Sequence, residues 1–328
     1  MIRSRARQCD LLKTHSLEIT PPTGEAIMAK ILITDGMDKN AIAALKQLGH
    51  DVTEQFYPEP DLIKEIGKFE CVVVRSATKI TKPVIDAASS MKLIIRGGVG
   101  VDNIEVAYAK SKGIEVQNTP GASSASVAEL ALALMFAIAR EVPAADKTMK
   151  DGKWEKKAFS KGMEVGGKVL GLVGLGRIGA SLAEKARGVG MFVMAYDKFP
   201  NAVRDKSIPL HSKAEVIEKA DFISMHIPFD KAAGPEITAA DFDKMKKGVV
   251  IINCARGGVV DEDALLANLN SGKVRGAGID VWVGEPAPRA DLAAHPKVVA
   301  IPHVGAATVE AQERVGGEVV EVVKGFFK

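Results

Sequence analysis

Lys168-Val-Leu-Gly-Leu-Val173 runs directly into Gly174-Leu-Gly176-Arg177-Ile178-Gly179, an aliphatic strand ending in a glycine turn that opens a helix. Eighteen residues beyond Gly179, the apolar stretch Phe192-Val-Met-Ala-Tyr196 closes on Asp197. Glycines at this spacing are weak evidence alone. A strand before them, a helix after them and an acid about 20 residues on describe one βαβ unit that holds a dinucleotide. Gly174 permits the tight turn, Gly176 lets the backbone approach a pyrophosphate, and Gly179 allows close helix–strand packing. The helix N-terminus adds free N–H donors and roughly half a positive charge. Asp197 is placed to accept from ribose hydroxyls. A 2′-phosphate at about 4 Å from it meets a repulsion of roughly 4 kcal/mol per unit charge at an effective dielectric of about 20. The cofactor read from these residues is therefore NAD, with Lys198 softening the discrimination against NADP.

Outward from this unit the same alternation continues. Ile31-Leu-Ile-Thr34, Cys71-Val-Val-Val74 and Leu93-Ile-Ile95 read as short buried strands, and Asn40 to Leu48 carries helical spacing. Repeated βα units imply a parallel sheet with right-handed crossovers. Ligands bind outside the carboxyl ends of such strands, where Arg75, Ser76 and the turn Gly97-Gly98-Val99-Gly100 fall. Ala125 to Lys150 reads as one long helix. A second βαβ series runs to about Ile301, and Ala307 to Lys328 carries Val315, Val319, Val322 and Val323 on one helical stripe. Because the glycine turn lies mid-chain, the expected fold is α/β with two Rossmann-like or flavodoxin-like doubly wound parallel-sheet domains. An NAD-binding domain (125–306) is inserted in a discontinuous substrate domain (28–124 and 307–328). Residues 1–27 read as a flexible extension; Arg3, Arg5 and Arg7 precede no apolar core, which argues against a secretory signal.

Composition excludes several classes. Forty-four basic residues stand against 41 acidic ones, a net charge of +3, which gives no footprint for nucleic acid or a membrane surface. The apolar run Val127 to Ala139 spans 13 residues and contains Glu129; a membrane span needs about 20. It reads instead as a buried or interface helix, and its richness in Ala and Leu points to a homodimer. Cys9, Cys71 and Cys254 are far apart and form no metal-ligand spacing, which fits a reducing, cytoplasmic setting.

A dinucleotide oxidising a small hydroxy acid needs a clamp for the carboxylate and a base for the hydroxyl proton. Arginine suits the first, being permanently charged and bidentate. Histidine suits the second, and a neighbouring carboxylate fixes its tautomer. Arg256, Glu285 and His303 each follow an apolar run of the second series. His226, in Met225-His-Ile-Pro228, competes as the base.

Three stretches then decide between these candidates. Asn253-Cys-Ala-Arg-Gly-Gly-Val-Val-Asp261, Gly278-Ile-Asp-Val281 and Pro302-His-Val-Gly-Ala-Ala-Thr308 resemble the signatures of the D-isomer-specific 2-hydroxyacid dehydrogenases. The order Arg, Glu, His at separations of 29 and 18 residues is also theirs. The resemblance spans about Lys30 to the C-terminus. It implies that Arg256 binds the substrate carboxylate and carbonyl oxygen, that His303 exchanges the proton and that Glu285 supports it. It places Cys254, Asp280, Gly305, His226 and Pro228 around the cofactor, the last two near adenine, and the amides of Gly98, Val99 and Gly100 on the carboxylate. Within the family, Val74-Arg-Ser-Ala-Thr-Lys79, Arg96-Gly-Gly-Val-Gly-Val-Asp-Asn103, Asn118-Thr-Pro and Met149-Lys-Asp-Gly-Lys-Trp154 are similar to the phosphoglycerate dehydrogenase branch. That branch implies oxidation of D-3-phosphoglycerate in serine biosynthesis, Arg75 and Lys79 approaching the phosphate and Arg140 reaching a neighbouring subunit's site. Glyoxylate or hydroxypyruvate reduction and an NAD(H)-sensing, corepressor-like binding protein are the competing expectations. Phe229-Asp-Lys-Ala-Ala-Gly-Pro235 departs from the family's usual turn. Longer members carry a serine-sensing domain past the position of Lys328, so no serine feedback through such a domain is expected.

Overall fold

The computed structural model describes residues 28–328, so the extension expected at residues 1–27 lies outside the described residues. The first sheet takes β1 (Lys30–Ile33), β2 (Asp51–Glu54), β3 (Cys71–Val74), β4 (Leu93–Arg96) and β5 (Glu115–Asn118), all parallel, in the order β2-β1-β3-β4-β5. The crossovers are α1 (Lys39–Gln47), α2 (Glu59–Glu65), α3 (Lys82–Ala87) and α4 (Val106–Ser111). All four residues of β3 are buried, as a central strand covered on both faces requires. Charged Glu54 and Glu115 fall on the two edge strands, where one side meets water.

Next come α5 (Ser124–Ala139) and α6 (Val142–Lys150), then the second sheet. Its elements are β6 (Val169–Val173), α7 (Arg177–Gly188), β7 (Phe192–Tyr196), α8 (Lys213–Lys219), β8 (Phe222–Met225), α9 (Ala239–Lys244), β9 (Val249–Asn253), α10 (Glu262–Ser271), β10 (Val274–Ile279), α11 (Ala290–Ala293) and β11 (Val298–Ala300). The strands lie parallel in the order β11-β10-β9-β8-β6-β7. The order reverses beside β6, so the crevice at its carboxyl end is a topological switch point. Both domains are doubly wound α/β units. Among the described residues no helix is long and apolar enough to cross a membrane.

The single helix expected over 125–150 is two. Glu141 sits in a left-handed conformation (φ 53°) between α5 and α6, and Pro143 is the reason. In a continuous helix its ring would press on the carbonyl of Ala139, which here is free to accept from the Met163 amide at 2.8 Å. The apolar excess of α5 also has a destination within the chain. Ala128, Ala131, Leu134, Met135 and Ile138 are buried in the core shared with α7 and the second sheet.

The last helix, α12 (Val309–Phe326), returns to the first sheet, where Val319, Val320 and Val323 join Ile31, Ile33, Leu45 and Val73 in one core. Fully burying such side chains contributes about 1.5–3 kcal/mol each. The two passages between sheets run side by side, Ser126 Oγ meeting Thr308 Oγ1 at 2.8 Å and Arg314 Nε donating to the Ala122 carbonyl at 2.8 Å. The carboxyl ends of both sheets therefore face one cleft.

Candidate active site

Five strand ends, those of β4, β8, β9, β10 and β11, converge on that cleft, a cavity of about 450 Å³ lined from the first sheet by Arg96 and Val99 to Asp102. His226 to Pro228, Cys254 to Arg256, Asp280, His303 and Gly305 line it from the second sheet. A wider groove of about 710 Å³ beside Phe229 is shallower, and its one cation among the described residues, Arg289, is already tied to Asp263 and Asp291.

On the cofactor side, Gly174 adopts φ 102°, and a Cβ there would lie 2.5 Å from the His226 carbonyl. Gly179 packs on the Gly174 carbonyl too closely for any side chain. No side chain caps α7 at Gly176, and the space beside Gly176 is open. Asp197 is fixed by accepting from the amides of Leu175 (2.7 Å, Oδ2) and Phe199 (2.7 Å, Oδ1). A carboxylate has about four acceptor positions, so roughly two remain for hydroxyls. The His226 ring is buried, shares Nε2 with Ser224 Oγ at 2.9 Å and leaves Nδ1 without a partner among the described residues. Burial pushes its pKa down to about 4, so at neutral pH this imidazole is uncharged. An uncapped helix, an acid with free lone pairs and an unpaired buried nitrogen together fit a dinucleotide.

On the chemical side, Asn253 ends β9 and braces the next turn. Its Oδ1 accepts from the Ala255 amide (3.1 Å) and its Nδ2 donates to the Arg256 carbonyl (2.9 Å). The Arg256 guanidinium is thereby carried across the cleft, where Nε donates to Asp102 Oδ2 at 2.8 Å. It lies directly on Gly100, and a Cβ at that position would collide with Nη2. Asp102 is 68% exposed, so the bridge contributes little to stability and is readily exchanged for another carboxylate.

Glu285 joins two elements, accepting from the Trp282 amide through Oε1 (2.8 Å) and facing His303 Nδ1 through Oε2 (2.8 Å). With a carboxylate on Nδ1 the proton is assigned there, which leaves Nε2 for the substrate. His303 has φ 54°, a conformation that costs a non-glycine residue about 1–3 kcal/mol. Buried Asp280 holds it there by accepting from the amides of Val304 (2.7 Å) and Gly305 (2.9 Å). Burial raises the Asp280 carboxyl above its ordinary range, against those two amides and the nearby His303. Asp280→Asn leaves one of the two amides unpaired. The expected loss is about 1–3 kcal/mol of stability, together with a slackened His303 loop and lower turnover. A denaturant midpoint and kcat both unchanged would remove this role.

Not every candidate from the sequence lines the cavity. Ser76 and Lys79 are exposed on the loop after β3. That loop is clamped by Asp35, which accepts from the Arg75 amide at 2.7 Å and the Thr78 hydroxyl at 2.6 Å, and by Asn103. Arg75 packs on Gly97 and is not among the residues that line the cavity. Arg140 stands at the far end of α5, against Gly162, outside the cleft of its own chain. The residue that sequence reasoning missed is Arg96. It ends β4 and lines the cavity, with Nε buried and unpaired. Burial, then the guanidiniums of Arg256 and Arg75, hold its pKa down to about 10. Its signal in the sequence was an arginine at a strand's carboxyl end just before the glycine turn.

Residues 132–305 match the family model described as D-isomer specific 2-hydroxyacid dehydrogenase, NAD binding domain. The chain belongs to this family. This dehydrogenase is 44% identical over 300 residues to a hydroxypyruvate reductase of Thermotoga maritima, covering 90% of this chain and 97% of that protein. It is 42% identical over 300 residues to a D-3-phosphoglycerate dehydrogenase of Methanocaldococcus jannaschii, covering 90% of this chain and 57% of that one. The chain thus spans just over half the length of the phosphoglycerate dehydrogenase it matches. A solved structure of a Thermus thermophilus protein superposes with a TM-score of 0.82 at 32% identity, covering 90% of this chain and 97% of that one. The cofactor of the dehydrogenase family domain is NAD.

Proposed function

We propose that the chain interconverts D-3-phosphoglycerate and its 2-oxo acid with NAD. One observation carries the choice of substrate: Arg96 lines the cavity with a buried Nε that has no partner among the described residues, and it lies near the guanidiniums of Arg256 and Arg75, with Asp35 and Asp102 as the nearby acids. A carboxylate alone is served by Arg256. A substrate bearing a phosphate dianion as well gives the buried Nε of Arg96 a partner, each charge-assisted bond contributing roughly 1.5–3 kcal/mol.

NAD, when bound, accepts the hydride. Arg256 clamps the carboxylate and polarises the oxygen on the reacting carbon, with the amides around Gly98 to Gly100 helping to hold the carboxylate. The hydroxyl proton passes to His303 Nε2, and Glu285 stabilises the imidazolium that forms. Asp280 fixes the loop carrying His303. Closure of the substrate domain (28–124 with 307–328) on the cofactor domain (125–306) excludes water and strengthens the Arg256 interaction.

A substrate panel tests this reading. kcat/KM for D-3-phosphoglycerate exceeds that for D-glycerate by at least about tenfold, the equivalent of one lost charge-assisted bond. Arg96→Gln removes most of that margin while changing glycerate turnover little. Equal values for the two substrates support the second reading, hydroxypyruvate reduction, which the near full-length match to the Thermotoga protein favours. A chain that binds NADH but turns over none of these acids is a binding protein instead.

Cofactor choice rests on Asp197. Asp197→Ala lowers the NAD/NADP preference by about tenfold or more, since it deletes both the ribose acceptor and the repulsion of a 2′-phosphate. An unchanged ratio of kcat/KM values for the two cofactors removes the assignment.

A homodimer is proposed on the exposed side of the α5–α6 segment. Phe136 at 39%, Met149 at 55% and Trp154 at 79% exposure are apolar side chains that the chain's own core does not use. Arg140 lies in the same segment, from which it would approach a neighbouring copy.

A further inference from the structure

A second cavity, of about 500 Å³, opens at the other end of the second sheet. Its walls include the amino ends of β9, β10 and β11 and the junction between α5 and α6, and it shares no lining residue with the catalytic cleft. Lys161, Lys247, Arg275 and Lys297 line it against one acid, Glu141. Among the described residues the three lysines form no ion pair, and Lys297 Nζ donates only to the Leu269 carbonyl at 2.7 Å.

Arg275 is placed there by a defect in the ladder. The β10–β9 register slips between Val274, opposite Val249, and Gly276, opposite Val250. An extra residue at such a bulge is turned out of the sheet and its side chain re-aimed. Nη2 of Arg275 donates to the Lys161 carbonyl at 2.7 Å and meets Glu141 Oε1 at 3.3 Å, while Nε is buried with no partner among the described residues. Its acid partner, Glu141, is the residue held in the left-handed conformation between the two helices. A concave wall with three uncompensated positive charges focuses field on whatever enters it.

We propose that this cavity is a binding site for a small polyanion, a phosphate ester or a polycarboxylate. Arg275 is its anchor, and Lys161, Lys247 and Lys297 neutralise the remaining charge. Neither the cofactor nor the substrate of the cleft is required for it.

Calorimetric titration of the full chain, saturated with NADH, with inorganic pyrophosphate and with citrate tests the site. At least one anion binds, more weakly as salt is added. Its affinity falls about tenfold in Arg275→Gln, the loss of one charge-assisted bond, and falls again in the double variant Lys247→Gln/Lys297→Gln. Tighter pyrophosphate marks the phosphate ester class and tighter citrate the polycarboxylate class. The double variant changes only exposed side chains, so it decides the matter even where Arg275→Gln does not fold. No binding of either anion at millimolar concentration, or affinities that the double variant leaves unchanged, overturns the proposal; in the second case the anion sits in the catalytic cleft.

Discussion

His303→Ala lowers turnover by about 10³-fold, within the range general acid–base catalysis supplies, while NADH binding is retained. The imidazole is held at one nitrogen by Glu285 at 2.8 Å and open at the other, so the substitution deletes the proton's destination and little else. The side chain is partly exposed, and alanine is no more comfortable than histidine at φ 54°, so the fold changes little. Among the described residues no other imidazole in the cleft replaces it. His226 is nearby, but with its pKa near 4 it cannot hold a proton at neutral pH. Steady-state turnover and fluorescence titration with NADH separate the two effects. A loss smaller than about tenfold would mean that another group carries the proton, and loss of NADH binding would mean that His303 is structural.

What the sequence made legible was local. Gly174 to Gly179 and Asp197 are set by one strand, one turn and one helix, and their meaning lies in spacing along the chain. Central strands such as β3 and β9 showed themselves as unbroken aliphatic runs because both faces are buried. The break at Glu141 was also written in the sequence, since Pro143 forbids a continuous helix, but the strong apolar run before it dominated the reading. Periodicity cannot tell a face buried in the same chain from one buried against a partner, and half of the residues of α5 proved to be buried in the same chain. Arg96, and the bracing role of Asp280 as distinct from its place beside the cofactor, were illegible for a different reason. The role of Arg96 depends on Arg75 and Arg256 arriving beside it from separate strands. That of Asp280 depends on two backbone amides 24 and 25 residues later. Contacts of that kind carry no spacing rule. Arg256 lies between the two cases. Its place after β9 could be read from the chain, whereas its bond to Asp102, 154 residues away, could not.

That bond shapes the second large effect. Arg256→Lys is expected to cost about 10²–10³-fold in kcat/KM, the 2–5 kcal/mol range for losing one partner of a desolvated charge pair. A lysine keeps the charge but loses the planar fork that engages the carboxylate and the reacting oxygen together. The loss should fall on kcat as well as KM, because the oxygen gains negative charge only as the reaction proceeds in the direction of reduction. Stability is expected to stay within the range of surface changes, since Asp102 is 68% exposed and water takes over from the guanidinium. Asp102→Asn separates holding from chemistry. It takes the charge from the partner of Arg256 Nε and weakens that bond without touching the fork, so it should lower KM or leave it unchanged, with kcat preserved. Were Arg256→Lys to raise KM alone, the residue would serve binding only and polarisation of the oxygen would fall to the glycine-turn amides. Were Asp102→Asn to lose as much turnover as Arg256→Lys, the ion pair would be the element that aims the guanidinium and not a tie that substrate displaces.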